Sequence, residues 1–303
     1  MAFMLWLTTF SHMPALARTR HKTKSATRHV NDLQKQKNYW TNRSSSWIKK
    51  ASSTKVSQDI FTLRLIQEAE ITPTMEVLDL ASGTGDPAIT IAEKLKCGNV
   101  IGYDITTEML SVAAARATTL MLPNMHIISG NMDTLPFPNQ IFDAITSRNG
   151  LMFSDNKLQC AREALRVLKP GRKAVWLVWG EIESNPTFLA VNIGLESFFG
   201  QKFRPRMIRH NLGKAGLLKD IMQRAGFAKT EEIELKQERI ITPEDNFFRR
   251  AIERAAPHRV DSLSETDWSA LLKLVENACS DHLQRKILKI PIVMRLGIGT
   301  APA

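Results

Sequence analysis

The sequence predicts a doubly wound α/β domain, in which a mostly parallel sheet is covered by helices on both faces. Three observations carry this. Strand-like apolar runs and helix-periodic runs alternate five times over about 125 residues, the pattern of right-handed crossovers. The first strand-like run ends on a turn with two glycines that opens a helix. The composition, 43% hydrophobic and 23% charged, is that of a chain with an ordinary core.

Taken in order, SQDIFTLRLIQEAEI places Ile60, Leu63, Leu65, Ile66 and Ala69 near helical spacing, and MEVLDL then reads as a buried strand. Asp86 and Pro87 suit a helix start, Asp as cap and Pro at the first helical position, with the helix running through IAEKLK. NVIGYD is a second strand, TTEMLSVAAARATTL a helix, MHIISG a third strand and IFDAITS a fourth. After NKLQCAREALRVL, the triplet Lys169-Pro170-Gly171 stops a helix and RKAVWLVWG follows as a fifth strand. Beyond Gly180 the rhythm changes. Residues 184–199 and 213–227 read as helical, FAKTEEIEL as a strand, residues 243–285 as two further helical patterns, and RKILKIPIVMRLGI as a returning strand. Pro291 cannot donate a ladder hydrogen bond, so it is expected near a bulge or an end.

The formal charge of +11 is concentrated in one place. Residues 1–55 hold eleven Lys/Arg and the single acid Asp32, which leaves 30 bases and 29 acids for the rest. A basic arm on a near-neutral body argues against nucleic acid as the main partner, because phosphate binding needs a folded basic face. The arm reads as a solvated, partly disordered extension or, with Arg18, Arg20, Arg28 and several hydroxyl residues, as an organelle transit peptide. A secretory signal is disfavoured, since the basic residues follow the apolar run MAFMLWL. No window reaches the roughly 18 apolar residues of a membrane-spanning helix. Cys97, Cys160 and Cys279 have no metal-ligand or disulfide-scaffold spacing, and the seven histidines are dispersed. A reducing compartment, the cytoplasm, is expected, or an organelle matrix if the arm is a transit peptide.

The chemistry gathers around DLASGTGDPA. Its glycines Gly83 and Gly85 let backbone approach a ligand, and the helix that follows favours anionic groups at its start. Read alone, the turn also fits a nicotinamide dinucleotide site or a plain strand-to-helix connection. Asp104 ends the second strand, where a carboxylate either accepts both hydroxyls of a ribose or caps TTEML. Asp79 lies within an apolar strand, an expensive place for an unpaired carboxylate, and calls for an ammonium group or a water held by one. In GNMDTLPF, Asn131 and Asp133 precede an apolar stretch, suited to a rim that hydrogen-bonds and covers a base.

These segments, VLDLASGTGDPA, VIGYD, GNMDTLPFPNQIFDAIT and EALRVLKPGR, resemble in order and spacing the class I S-adenosylmethionine-dependent methyltransferases. They are most similar to the small-molecule group that includes the ubiquinone and menaquinone methyltransferases. The resemblance covers roughly residues 60–180 well and disfavours a dehydrogenase. It implies a Rossmann-like seven-stranded sheet over residues 56–303, with 181–226 and 243–285 as helical additions on the substrate side. It implies S-adenosyl-L-methionine as cofactor, with Asp79, Ala81, Gly83 and Gly85 lining its methionine end and Asp104 holding the ribose. Ile105 and Met109 would lie near the adenine, with Asn131 and Met132 in the place of an Asp-Ala pair. Ser147, Arg148, Asn149 and Gly150 would face the transferring methyl.

One departure bears on the acceptor. Where quinone methyltransferases carry FGLRN, this chain has NGLMF, so an Arg-Asn pair is replaced by Met152-Phe153 and the acceptor pocket is expected to be apolar. The expected activity is therefore methyl transfer to O, C or N of a small or lipophilic organic acceptor. Quinone-ring C-methylation and a non-catalytic methyltransferase-like binding subunit are the rivals. Tyr39, Trp40 and Trp47 read as an aromatic lid or as an anchor for the arm. His210 is the candidate base, His126 a packed or edge residue, Trp176 and Trp179 core, and Cys160 a packing residue.

Overall fold

A computed structural model describes residues 34, 37–42, 44, 59–200, 207–242, 244–284 and 287–303. Trp47 and most of the basic arm lie outside the described residues. Helix α1 (Ile60–Glu68) precedes β1 (Glu76–Leu80), α2 (Ala88–Lys94), β2 (Asn99–Asp104), α3 (Thr107–Thr119), β3 (Met125–Ser129), β4 (Phe142–Arg148), α4 (Lys157–Val167) and β5 (Leu168–Trp179). There follow α5 (Pro186–Phe199), α6 (Leu217–Ala225), β6 (Lys229–Ile241), α7 (Phe247–Ala255), α8 (Pro257–Val260), α9 (Glu265–Asn277), the two-residue β7 (Leu283–Gln284) and β8 (Ile287–Thr300). The sheet runs β3-β2-β1-β4-β5-β8-β6, seven strands in line with β7 beside β8. Strands β1 to β5 are parallel, whereas β8 is antiparallel to both β5 and β6.

Strand periodicity divides the core cleanly. Leu78, Leu80, Ile101, Tyr103, Ile145, Trp176 and Val178 enter one apolar cluster with Ala161 and Ala164 of α4 and Met222 of α6. Val77, Val100, Ala144, Val175 and Leu177 enter the other with Leu65 of α1, Ile89 of α2 and Ala113 of α3. A third cluster lies apart, where Val191 and Leu195 of α5, Phe248 and Ile252 of α7, and Leu271 and Val275 of α9 pack with Ile241, Leu288 and Ile290. It covers the ends of β6 and β8 that run past the other strands, for β5 pairs with β8 only from Met294 onward.

Four local expectations are corrected. Pro87 is the N-cap of α2 and follows a cis peptide bond, so Asp86 neither caps the helix nor precedes a first-turn proline. That helix ends at Lys94, before the Leu95-Lys96 pair. Pro291 lies within β8, opposite Glu238 of β6, at a stretch that β5 does not reach. One side of the strand therefore needs no donor there, and a bulge is unnecessary. Trp176 is core, but Trp179 at the strand's end is only half-buried and meets Phe188 edge-on at 4.8 Å.

Candidate functional site

Strand order reverses between β1 and β4, and a doubly wound sheet opens a crevice beyond the carboxyl ends of its strands at such a point. The predicted residues meet there. The turn after β1 is left-handed at Ala81 (φ 56), Gly83 (φ 55) and Gly85 (φ 103). Only glycine serves at Gly85, because a Cβ would stand 2.8 Å from Ile89 and 3.2 Å from the Ala113 methyl. The turn is held from outside by the Ser82 amide, which donates to the Tyr103 carbonyl at 3.1 Å. The buried Arg116 of α3 donates to the Thr84 carbonyl at 2.6 Å and to Asp86 at 3.2 Å. Sequence reasoning passed over Arg116. Its signal was a lone cation in the small-residue run AAARATT.

Asp79 and Thr146 are register partners on β1 and β4, so their side chains share a face. The Thr146 hydroxyl donates to Asp79 Oδ1 at 2.7 Å, while Oδ2 is buried with no hydrogen bond of ordinary geometry. Burial pushes the carboxyl up to about 7, and the Thr146 hydroxyl, then the Ser82 hydroxyl and the Ala88 amide beside it, offset this only in part. Ser147 Oγ and Asn149 Oδ1 are likewise buried and unpartnered. Asn149 holds a left-handed backbone (φ 59), and its amide donates to the Leu177 carbonyl at 2.8 Å. Gly150 brings this loop against the β1 turn, since a Cβ there would sit 2.4 Å from the Ala81 methyl and 2.6 Å from Ser147 Oγ.

Asp104 is nearly buried and accepts from the Gly83 amide at 2.9 Å and the Thr106 amide at 2.8 Å. Burial raises its pKa, and those amides oppose the rise. It is thus the brace of the glycine turn, with the Thr106 hydroxyl and the Ile105 amide also beside it. Met109 Sδ lies 3.7 Å from where a Gly83 Cβ would be, and half-buried Ile105 precedes α3. Asn131 and Met132 are half-buried beyond β3, and Asn131 Oδ1 accepts from the Asp133 amide at 3.1 Å.

The GNMDTLPF rim is only partly as expected. Asp133 turns inward and accepts from Ser154 at 3.0 Å and Cys160 at 2.7 Å. Leu135 and Phe137 enter the core instead of lying open over a ligand. Glu163 and Arg166 of α4 grip that segment, Glu163 through the Leu135 amide at 2.8 Å and Arg166 through the Leu135 and Phe137 carbonyls. Cys160 is buried with its thiol pKa pushed up, which fits a packing residue.

On the acceptor side Met152 is fully buried in the core, so only Phe153 of the departing pair reaches the surface. Trp40 meets Phe153 edge-on at 4.7 Å, Tyr39 meets Trp40 at 5.2 Å, and the Thr41 hydroxyl reaches Glu108 of α3 at 3.3 Å. Arg148 forms an ion pair with Asp59, the cap of α1. His210 Nδ1 lies 2.7 Å from the Gly180 carbonyl. A carbonyl only accepts, so the proton is on Nδ1 and Nε2 keeps its lone pair. Burial lowers the His210 pKa against the pull of that carbonyl. Asn211 donates to the Met152 carbonyl at 3.1 Å, which sets this segment beside Phe153. His126 is half-buried on the edge strand β3, 3.2 Å from Asn99. Among the described residues no group of His, Cys, Asp and Glu is placed to hold a metal ion, and no helix is long and apolar enough to cross a membrane.

Comparison with known proteins agrees with this geometry. Residues 77–171 match a methyltransferase domain family. A demethylmenaquinone methyltransferase of Bacillus cereus is 32% identical over 46% of this chain and 56% of its own length. A ubiquinone/menaquinone biosynthesis C-methyltransferase of Xanthomonas campestris is 37% identical over 40% of this chain and 48% of its own. The chain thus spans about half the length of these curated relatives. The structure of the YcgJ protein from Bacillus subtilis superimposes with a TM-score of 0.57, covering 80% of this chain and 98% of that one at 19% identity. The fold is that of the class I methyltransferases, and the sequence resembles the quinone-methylating group among them.

Proposed function

We propose that this protein transfers a methyl group from S-adenosylmethionine to a small or lipophilic organic acceptor. One observation carries the reading. Buried polar atoms without partners, Asp79 Oδ2, Ser147 Oγ and Asn149 Oδ1, gather at the carboxyl ends of β1 and β4, beside a glycine turn braced by Asp104. Orphan buried polar atoms are rare in folded proteins and are costly unless a ligand completes them. Their chemistry fits the cofactor. Asp79 answers an ammonium, Asp104 the ribose hydroxyls, Asn131 with Met132 the adenine edge, and Ile105 and Met109 its flat face. Ala81, Gly83 and Gly85 let backbone come close to the methionine end.

Bound there, S-adenosylmethionine supplies a methyl carbon already activated by its sulfonium, so the chain has chiefly to align an acceptor and take up a proton where one is released. Ser147, Arg148 and Asn149 stand at that edge. Tyr39, Trp40 and Phe153 give it an apolar wall, and His210 Nε2 offers a lone pair for the proton. The helical additions at 181–226 and 243–285, with the projecting ends of β6 and β8, would frame the acceptor. The names of the relatives suggest a quinone-type ring, which such a wall would accept without fixed donors. A cytoplasmic location fits this small-molecule chemistry.

Calorimetric titration with S-adenosylmethionine and S-adenosylhomocysteine, followed by a labelled-methyl screen of phenols, quinone precursors, amines and acids, tests the proposal. Saturable binding and label transfer are expected. Absence of binding would refute the reading, and binding without transfer to any acceptor would favour a non-catalytic subunit.

A further inference from the structure

The short helical turn Leu151–Phe153, with the residue on either side of it, touches each part of the candidate site. Gly150, at its start, lies against the glycine turn, where a Cβ would stand 2.4 Å from the Ala81 methyl. The Met152 carbonyl accepts from Asn211, next to His210, at 3.1 Å. Phe153 meets Trp40 edge-on at 4.7 Å. Ser154, which ends the turn, is 3% exposed, and its hydroxyl donates to Asp133 Oδ1 at 3.0 Å. The same hydroxyl accepts from the Asn156 amide at 3.0 Å, and the Ser154 carbonyl accepts from Lys157 Nζ at 2.8 Å, so Ser154 is fixed to the start of α4.

Asp133 belongs to the other flank. The segment Gly130–Asp133 follows β3, the turn follows β4, and β2 and β1 lie between those strands in the sheet. The segment is held closely: the Gly130 amide donates to the Asp104 carbonyl at 2.9 Å, the Tyr103 hydroxyl to the Asn131 carbonyl at 3.3 Å, and the Asp133 amide to Asn131 Oδ1 at 3.1 Å. A shift of Asp133 therefore moves Asn131 and the half-buried Met132 between them. The Asp133 carboxylate is 6% exposed, and its Oδ1 is held by neutral donors, the Ser154 hydroxyl and the Cys160 thiol at 2.7 Å. Taking a carboxylate out of water against neutral donors is costly, and an apolar side chain would fill the place more cheaply. What the carboxylate adds is a directed bond between the two flanks.

We propose that Asp133 and Ser154 are positioning residues, whose hydrogen bond carries occupancy of the adenine side, at Asn131 and Met132, to the turn that sets Phe153 and Trp40 on the acceptor side. A ligand that orders one segment lowers the cost of ordering the other, and the coupling is reciprocal. The inference rests on the methyltransferase reading, which supplies the ligand for the adenine side.

The test labels the full chain with fluorotryptophan and follows its fluorine NMR lines as S-adenosylhomocysteine is added, a Trp40→Phe chain identifying the Trp40 line. In the parent, the Trp40 line is expected to shift on saturation. In Ser154→Ala, calorimetry should show S-adenosylhomocysteine still bound, about ten-fold more weakly, the scale of one charge-assisted hydrogen bond. At saturation its Trp40 line should no longer shift. Ser154→Thr restores the hydroxyl and should recover the shift, and Cys160→Ala leaves the Asp133–Ser154 bond in place and should keep it. If thermal unfolding shows that a Ser154 variant does not fold, Asp133→Ala and its conservative counterpart Asp133→Asn carry the same comparison. A Trp40 line that ignores the ligand in the parent, an undiminished shift in saturated Ser154→Ala, outright loss of binding in that variant, or loss of the shift in Cys160→Ala would overturn the inference. Failure of the parent chain to bind S-adenosylhomocysteine would instead overturn the methyltransferase reading, a separate result.

Discussion

Replacing Asp79 with Asn removes a carboxyl whose pKa is carried from 3.8 to about 7 by burial. Such a group binds its proton more tightly folded than unfolded. Between pH about 4 and 7 the unfolded chain has released the proton and the folded chain has kept it, so stability falls as pH rises through that window and is level above it. At about 1.4 kcal/mol for each tenfold change in proton affinity, the loss at pH 8 is on the order of 4 kcal/mol. For a domain of this size that corresponds to a melting temperature lower by on the order of 10 °C. The Asn variant keeps an acceptor for the Thr146 hydroxyl and lacks the titration. It also puts an unmatched amide where the orphan oxygen lay, which costs about 1–3 kcal/mol at every pH. The quantity that decides is therefore how the difference between variant and parent changes with pH. Denaturant unfolding of both chains without ligand at pH 4, 6 and 8 should show the variant gaining on the parent as pH rises. A difference that stays constant from pH 4 to 8 would refute the reasoning. An ammonium placed against the ionised carboxylate would make the parent release a proton on binding S-adenosylmethionine below pH 7, measurable by calorimetry in buffers of different ionisation enthalpy.

Asp104→Ala should weaken S-adenosylmethionine binding by roughly 1.5–3 kcal/mol and also lower stability, because the Gly83 and Thr106 amides lose their acceptor; unchanged calorimetric affinity would exclude a ribose contact. Gly150→Ala should destabilise by about 1–3 kcal/mol through its collision with the Ala81 methyl, and adding Ala81→Gly should restore part of the loss in a denaturant double-mutant cycle. His210→Gln should lower kcat far more than it raises KM and remove the acid limb of the pH–rate profile, which for a burial-lowered histidine lies below its ordinary 6.5. A parent profile flat through that limb would exclude His210 as the base.

The central sheet was legible because its physics is local. A strand covered on both faces is an apolar run, the glycines mark the turn where backbone must crowd, and Asp104 stands where its strand has to end. The misread details depend on long-range geometry. Pro291 is admissible inside β8 only because β5 stops short of it, and Asp133 faces inward only because α4 brings Cys160 beneath it. Phe153 faces outward while Met152 is sealed inside, since the short helical turn at Leu151–Phe153 gives neighbouring residues opposite environments.

The acceptor side was harder to read for a related reason. A cofactor site built on one strand-turn-helix unit leaves its signature within a few residues, whereas a contact between the end of β4 and the cap of α1 leaves only isolated charges in the sequence. Arg148 and Asp59 are 89 positions apart, and nothing near either residue announces the pair. The resemblance alone places Arg148 facing the transferring methyl; in the structure its guanidinium is paired with Asp59. Of the Met152-Phe153 pair that stands where quinone methyltransferases carry Arg-Asn, Met152 is sealed in the core and Phe153 meets Trp40, a ring that lies more than a hundred positions away in the chain.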